Sequence, residues 1–176
     1  MRLAKQILNE MNTLGMDAII AGGYPRDIAH NQKPKDIDII TLGNDKQMYD
    51  LYKYLSNNNL LLQLPTISLV TENSSEDYQD EDIWCVMKIK TDGIPIDIIF
   101  WDNHKYSDLE HVITSGFDYN INQYIMKGDA PEFIGVDEGW LTQIKDDIQP
   151  KRAYKMKTIA YRLGYATTTP PSENPF

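Results

Sequence analysis

"AGGYPRDIAHNQKPKDIDII", running from Ala21 to Ile40, holds two features that ordinary local structure does not ask for. The apolar stretch "MDAIIAGG" reads as a short strand that runs into Gly22 and Gly23, and Pro25 suits the first turn of a short helix, "PRDIAH". "DIDIITL" then reads as a second strand. It sets Asp36 and Asp38 two apart, on one face, although Asp is depleted in strands and like charges repel. A half-exposed edge strand could carry two solvated acids, and a lone Gly-Gly pair says less still. The meaning of the stretch rests on what surrounds it.

Upstream, Leu3, Ile7, Leu8, Met11 and Leu14 recur on one helical face of residues 1–14, with Gly15 placed to end the helix. Downstream, "NDKQMYDLYKYLSNNN" predicts a helix with Met48, Leu51, Tyr52 and Leu55 inward, closed by the polar "SNNN". Residues 71–82, "TENSSEDYQDED", hold six acids and no Lys or Arg, which predicts an exposed, mobile loop, with an acidic interaction arm as the sharper reading. "IWCVMKIKTDGIPIDIIFWD" predicts two strands joined at "TDG", and sets a lone Asp97 among Ile96, Ile98, Ile99 and Phe100. A helix is expected around "YSDLEHVITSG". "FDYNINQYIM" fits helix or strand by period, and helix is the expectation. In "DDIQPKRAYKMKTIAYRLGY", Met156, Ile159, Ala160 and Leu163 form an apolar stripe, while Lys151, Lys155 and Arg162 share another face. Helices and strands mixed in this order predict an α+β (α/β) domain, a small mixed sheet flanked by helices. It spans residues 1–165, with a disordered tail over 166–176.

Composition narrows the function. The 176 residues are 41% apolar and 24% charged, the makeup of one soluble domain, and the short apolar runs predict neither a membrane span nor a signal peptide. A cytoplasmic location is the expectation. The single Cys85 has no partner for an internal disulfide and is read as core. A net charge of −9 disfavours a broad grip on nucleic-acid backbone, which draws its affinity from many Lys and Arg contacts.

Together the odd features are more specific than any one alone. Glycines at a helix mouth let backbone approach a phosphate closely. Asp36, Asp38 and Asp97 converging on one spot would repel, but would suit Mg2+ or Mn2+, which take oxygen ligands and bridge to substrate phosphates. The alternative for Asp97 is the solvent face of a half-buried strand.

These residues also carry a resemblance. "GGYPRDIAHNQKPKDIDII" resembles the signature of the nucleotidyltransferase superfamily related to DNA polymerase β, in the form seen in the head domain of tRNA nucleotidyltransferases (CCA-adding enzymes) and bacterial poly(A) polymerases. Gly22, Gly23, Arg26, Asp27, Pro34, Lys35, Asp36 and Asp38 match it. "FDYNIN" is similar to that family's Arg-Arg-Asp-Phe-Thr-x-Asn motif at Asp118 and Asn122, with Tyr119 for Phe, and "QPKRAYKMKTIAYRLGY" resembles the basic helix that follows the head. The resemblance implies the nucleotidyltransferase fold and a metal-dependent, template-independent transfer of a nucleoside monophosphate from an NTP to a hydroxyl. Asp36, Asp38 and Asp97 would be metal ligands and catalytic groups, and Gly22, Gly23, Arg26, Asp27, Lys35, Asp118 and Asn122 would bind the nucleotide. The acceptor, whether an RNA end, a protein or a small molecule, is not legible.

Two departures stand out. Gly116 and Phe117 occupy the places of the family's two arginines, and the sequence stops after the basic helix, so processive tRNA end-building is not expected. A non-catalytic nucleotide- or RNA-binding module is therefore the alternative. Arg26 could meet a triphosphate or pair with Asp27. Lys151, Arg152, Lys155 and Arg162 are candidates for acceptor or phosphate contacts, or form a solvated face. His30, His104 and His111 lack metal-ligand spacing, and Trp84, Trp101 and Trp140 read as core or interface aromatics before stacking platforms.

Overall fold

A computed structural model describes residues 1–58, 60–70 and 81–167. Its elements are α1 (Arg2–Thr13), β1 (Ala18–Ala21), α2 (Gly23–Ala29), β2 (Ile37–Thr41), α3 (Asp45–Asn57), β3 (Thr66–Leu69), β4 (Ile83–Ile89), β5 (Ile96–Trp101), α4 (Leu109–His111), β6 (Tyr124–Lys127), β7 (Ala130–Phe133) and α5 (Pro150–Arg162). Among the described residues one mixed sheet takes the order β3-β4-β5-β2-β1-β6-β7, and of its strand pairs only β2–β5 is parallel. The expected α+β class with a mixed sheet and flanking helices is what the chain adopts.

Alternation in the central strands assigns the two faces. Ile37 and Ile39 of β2, Cys85, Met87 and Ile89 of β4, and Ile96, Ile98 and Phe100 of β5 are buried together with Ala4, Ile7 and Met11 of α1 and Leu51 and Leu55 of α3. The intervening residues point the other way. Ile40, Val86, Ile99 and Trp101 pack there with Tyr106, Val112 and Ile113. Cys85 is core as expected, and burial pushes its thiol up to about 11.

Local chemistry explains the helix ends. Gly15 takes φ +75° just past α1, and Gly164 takes φ +80° just past α5. Asn44 and Gln47 form a reciprocal capping box on α3.

The structure corrects several expectations. "FDYNINQYIM" is not a helix: a 3-10 turn over Asn120–Asn122 leads into β6, whose register with β7 places Lys127 opposite Ala130 across a Gly128-Asp129 turn. Within the helix expected at 106–116, only Leu109–His111 is α-helical, and Val112–Gly116 widens into a π turn. Sequence reading also passed over β3, whose burial pattern is mostly exposed. Of the acidic loop expected at 71–82, Glu81 is exposed, but Asp82 is buried, against expectation, because Lys105, Lys145 and Tyr106 bond its carboxylate. Residues 71–80 of that loop lie outside the described residues, as do residues 168–176 of the expected tail. Ala166, at the start of that tail, bridges Trp140 and accepts from Leu141 N at 2.9 Å.

Candidate active site

The strand register brings the carboxylates together. Asp38 pairs with Asp97 across the parallel β2–β5 ladder and with Ala21 across β1–β2, so Asp38 stands between the lone acid and the start of the glycine turn. Asp38 and Asp97 are both half-buried, whereas Asp36, on the approach to β2, is exposed. Their mutual field is visible in the chemistry of Asp38. Burial first, then the charges of Asp36 and Asp97, push its carboxyl from 3.8 up to about 7, against the lowering pull of Arg152 and Arg26.

Both glycines belong to this place, for different reasons. Gly22 adopts φ +83°, ψ −131°, which side-chain-bearing residues avoid. A Cβ there would lie 3.8 Å from Asp38 Oδ2, so the bare turn faces the carboxylate directly. Gly23 opens α2 in ordinary helical geometry, and a Cβ on it would come within 3.4 Å of Arg26 Nη2.

A polar chain runs from the glycine turn to α5. Buried Arg26 donates from Nε to Asp27 Oδ1 at 2.9 Å and from Nη1 to Asn122 Oδ1 at 2.7 Å, and its Nη2 forms an ion pair with Asp27 Oδ1 at 2.8 Å. Asn122 Nδ2 donates to Asp118 Oδ1 at 3.0 Å, and Arg152 Nε donates to Asp118 Oδ2 at 2.6 Å. Five residues singled out in the sequence are thus one network. Arg26 does pair with Asp27, one of the two roles the sequence offered it. Arg152 comes to the site, while Arg162 lies ten residues farther along α5, about 15 Å at the helical rise. Lys35, Lys151 and Lys155 are exposed.

The departures at 116 and 117 have a steric cause. A Cβ at Gly116 would sit 2.9 Å from both Trp101 Cζ3 and Tyr106 Oη, and Phe117 packs on Trp101 with ring centroids 5.9 Å apart. Aromatic packing fills the place where a resembling chain carries arginine. Trp101 is core, Trp84 is half-buried against Phe100, and Trp140 is 59% exposed. Among the histidines, His30 Nδ1 lies 2.8 Å from the Arg26 carbonyl and its ring rests on Tyr124 and Tyr165.

Among the described residues no three His, Cys, Asp or Glu side chains form a ready-made cation cage. The donor set nonetheless fits Mg2+, which commonly takes one or two protein carboxylates and completes its shell with water and substrate phosphate. Hard oxygen donors and an excess of negative charge around Asp38 suit such an ion. Sequence reading missed one charged neighbour, Lys88, which pairs with Asp97 from β4. Its signal was the alternation of "CVMKIK", which puts Lys88 on the face opposite Met87 and Ile89.

No family model matches the chain. Over 63 residues it is 33% identical to the CC-adding tRNA nucleotidyltransferase of Halalkalibacterium halodurans, a match covering 36% of this chain and 17% of that protein. Among solved structures, it resembles the Bacillus stearothermophilus CCA-adding enzyme in complex with CTP with a TM-score of 0.61 at 13% identity, over 97% of this chain and 41% of that one. A CCA-adding enzyme with ATP gives a TM-score of 0.55 at 19% identity, over 94% of this chain and 40% of that one. A tRNA-processing enzyme in an apo form gives 0.58 at 18% identity, over 94% and 45%. The chain spans less than half the length of these proteins. Among the described residues, no helix is long and apolar enough to cross a membrane. Over the part it covers, the chain has the fold of the CCA-adding tRNA nucleotidyltransferases.

Proposed function

We propose that this chain transfers a nucleoside monophosphate from an NTP to a hydroxyl acceptor and releases pyrophosphate. The observation that carries the proposal is the register pair Asp38–Asp97, set against the bare turn at Gly22, with Asp38 raised to about 7 by its burial and its acidic neighbours. A half-buried carboxylate pair beside a glycine turn is costly to keep unless a cation and an anionic ligand meet there.

In this reading the triphosphate lies over Gly22, where the missing Cβ admits phosphate oxygens. The acceptor oxygen bonds to the α-phosphorus, the bond from that phosphorus to the β-bridging oxygen breaks, and pyrophosphate carries away the electron pair. Asp97 takes the acceptor proton or passes it to water. Asp36, Asp38 and Asp97 would hold Mg2+ or Mn2+, which would neutralise charge on the phosphates and acidify the hydroxyl. Arg26, held by Asp27 and Asn122, fixes the turn and lends its charge to the site. Arg152, held by Asp118 through Nε, has two Nη groups to offer a phosphate.

A second reading, a non-catalytic nucleotide-binding module, is favoured by one specific observation: Gly116 and Phe117 present packed aromatic surface where resembling chains carry arginine. Incubation with Mg2+, each α-labelled NTP and separate pools of RNA, protein and small polyols separates the two. Label in an acceptor that disappears in Asp97→Asn supports transfer. Tight NTP binding with no labelled acceptor in any pool refutes it and supports the module.

A further inference from the structure

Register sets one transverse row of residues across the sheet. Ala21 pairs with Asp38, Asp38 with Asp97, Asp97 with Lys88, and Lys88 with Thr66, so the row crosses β1, β2, β5, β4 and β3 on a single face. Directly opposed residues of an antiparallel pair carry their Cβ atoms about 5 Å apart, which makes Lys88 and Asp97 side-by-side neighbours. The same face is apolar at its other end. Val86, two residues before Lys88, is buried with Ile99 and Trp101 under Tyr106 and Val112, while Lys88 itself is exposed. The apolar cover stops where the charged row begins.

The cations around this row are divided by side. Arg26 and Arg152, joined to each other through Asn122 and Asp118 on the β1–β6 side, pull on Asp38 by their charge, and Gly22 opens on that same side. Lys88 stands on the opposite side, beyond Asp97. A phosphoryl transfer needs the attacking and leaving oxygens roughly in line through phosphorus. With the triphosphate over Gly22, the attacking hydroxyl comes from the Asp97 side, and the next side chain it meets is the ammonium of Lys88.

The geometry points to Lys88 as an acceptor-binding residue that selects hydroxyl compounds carrying a phosphate close to the reacting oxygen. This rests on the transferase reading above and adds the chemical class of its second substrate. A lysine is a compact point charge on a flexible stem, suited to a phosphate whose exact position varies between acceptors. A neutral polyol gains nothing from it. The phosphate could belong to a small phosphorylated alcohol or to the backbone of an oligonucleotide end, and both present the same group to Lys88.

The test compares wild type, Lys88→Ala and Lys88→Arg on three acceptors: glycerol, glycerol 3-phosphate and a short oligonucleotide with a free 3′-hydroxyl. Loss of a charge-assisted contact predicts that Lys88→Ala raises KM for whichever phosphate-bearing acceptor is used by about tenfold or more. The KM for NTP and the rate on glycerol stay at wild-type level, and Lys88→Arg recovers most of the loss. The responding phosphate acceptor identifies the source. Equal losses on glycerol and on phosphate acceptors would overturn the assignment, because Lys88 would then act only through Asp97. A second readout does not depend on catalysis: anisotropy of fluorescein-labelled glycerol 3-phosphate and oligonucleotide probes with a non-hydrolysable NTP present. If the wild type transfers nothing yet binds either probe about tenfold tighter than Lys88→Ala, the transferase reading falls and the Lys88 site stands. If neither probe distinguishes the two proteins, the Lys88 site falls whatever the transfer assay gives.

Discussion

Replacing Asp38 with Asn should make the metal-free protein more stable at neutral pH, although it removes a residue at the centre of the site. The folded carboxyl titrates near 7, against 3.8 for the ordinary group. A group whose folded pKa is raised contributes its full stabilisation below the unfolded value, and that contribution is lost as pH climbs through the folded one. The window is therefore pH 4 to 7, with wild-type stability falling as pH rises. Raising the carboxyl from 3.8 to about 7 corresponds to roughly 4 kcal/mol, and the partial solvent access of Asp38 reduces this to about 2 kcal/mol. For a chain of this size that is about 4–8 °C in Tm.

The assay is thermal unfolding of wild type and Asp38→Asn in chelator from pH 4.5 to 8.5. The range avoids interference from Asp82, whose carboxyl is held down at about 2 and titrates below it. The two proteins should agree near pH 4.5 and diverge upward, with the variant ahead by about 2 kcal/mol at pH 8. Adding Mg2+ with a non-hydrolysable NTP should close the gap by stabilising the wild type alone. Parallel curves across the range would refute the reasoning, because the carboxylates would then carry no mutual strain for a cation to relieve.

Gly116→Arg should lower stability by about 2 kcal/mol or more in urea unfolding, because its Cβ collides with Trp101 and Tyr106. Asp82→Asn should cost about 3 kcal/mol at pH 7, since Asp82 is 4% exposed and accepts from Lys105 at 2.5 Å, Lys145 at 2.8 Å and Tyr106 at 2.6 Å. Burial alone would raise that carboxyl, but these bonds outweigh it, so the wild-type advantage is full above pH 4 and fades as pH drops toward 2. Asn122→Ala should leave Arg26 and Asp118 each short of a partner, costing about 1–3 kcal/mol and weakening nucleotide binding in calorimetry.

The parts of the fold legible in sequence are those whose period is strict. α1 and α3 showed an unbroken apolar face, and β2, β4 and β5 showed clean alternation or turn-bounded apolar runs. β6 did not, because "YNINQYIM" places Ile121 and Tyr124 at helical spacing while part of the pairing that decides the matter comes from β1, distant in sequence, and only the rest from β7 across the next turn. β3 lacked a signal because most of its side chains face solvent. At the site, Asp38 and Asp97 were legible because an acid in an apolar strand breaks a pattern. The engagement of Arg26 was not: Asp27 is adjacent in sequence, but Asn122 lies 96 residues away and is brought in by the β1–β6 pairing. Lys88 was passed over for a related reason. A lysine at an outward position of a strand is ordinary until the register shows that its neighbour is Asp97.

The same alternation builds both the core and the site, and this constrains what can change. Ile37, Ile39, Ile96 and Ile98 face α1 and α3 because Asp38 and Asp97 face the other way. A one-residue slip of β2 against β5 would carry Asp38 into the apolar layer and expose Ile37 and Ile39, so every inward isoleucine opposes the slip. Four fully buried isoleucines at about 1.5–3 kcal/mol each far exceed the roughly 2 kcal/mol of carboxylate strain at Asp38. The fold can therefore hold two acids side by side, because the energy that fixes their register comes from the opposite face of the sheet. Asparagine substitutions at Asp38 or Asp97 should accordingly leave the register intact, whereas Ile39→Asp, on the opposite face of the sheet, should abolish folding and the proposed nucleotide binding together.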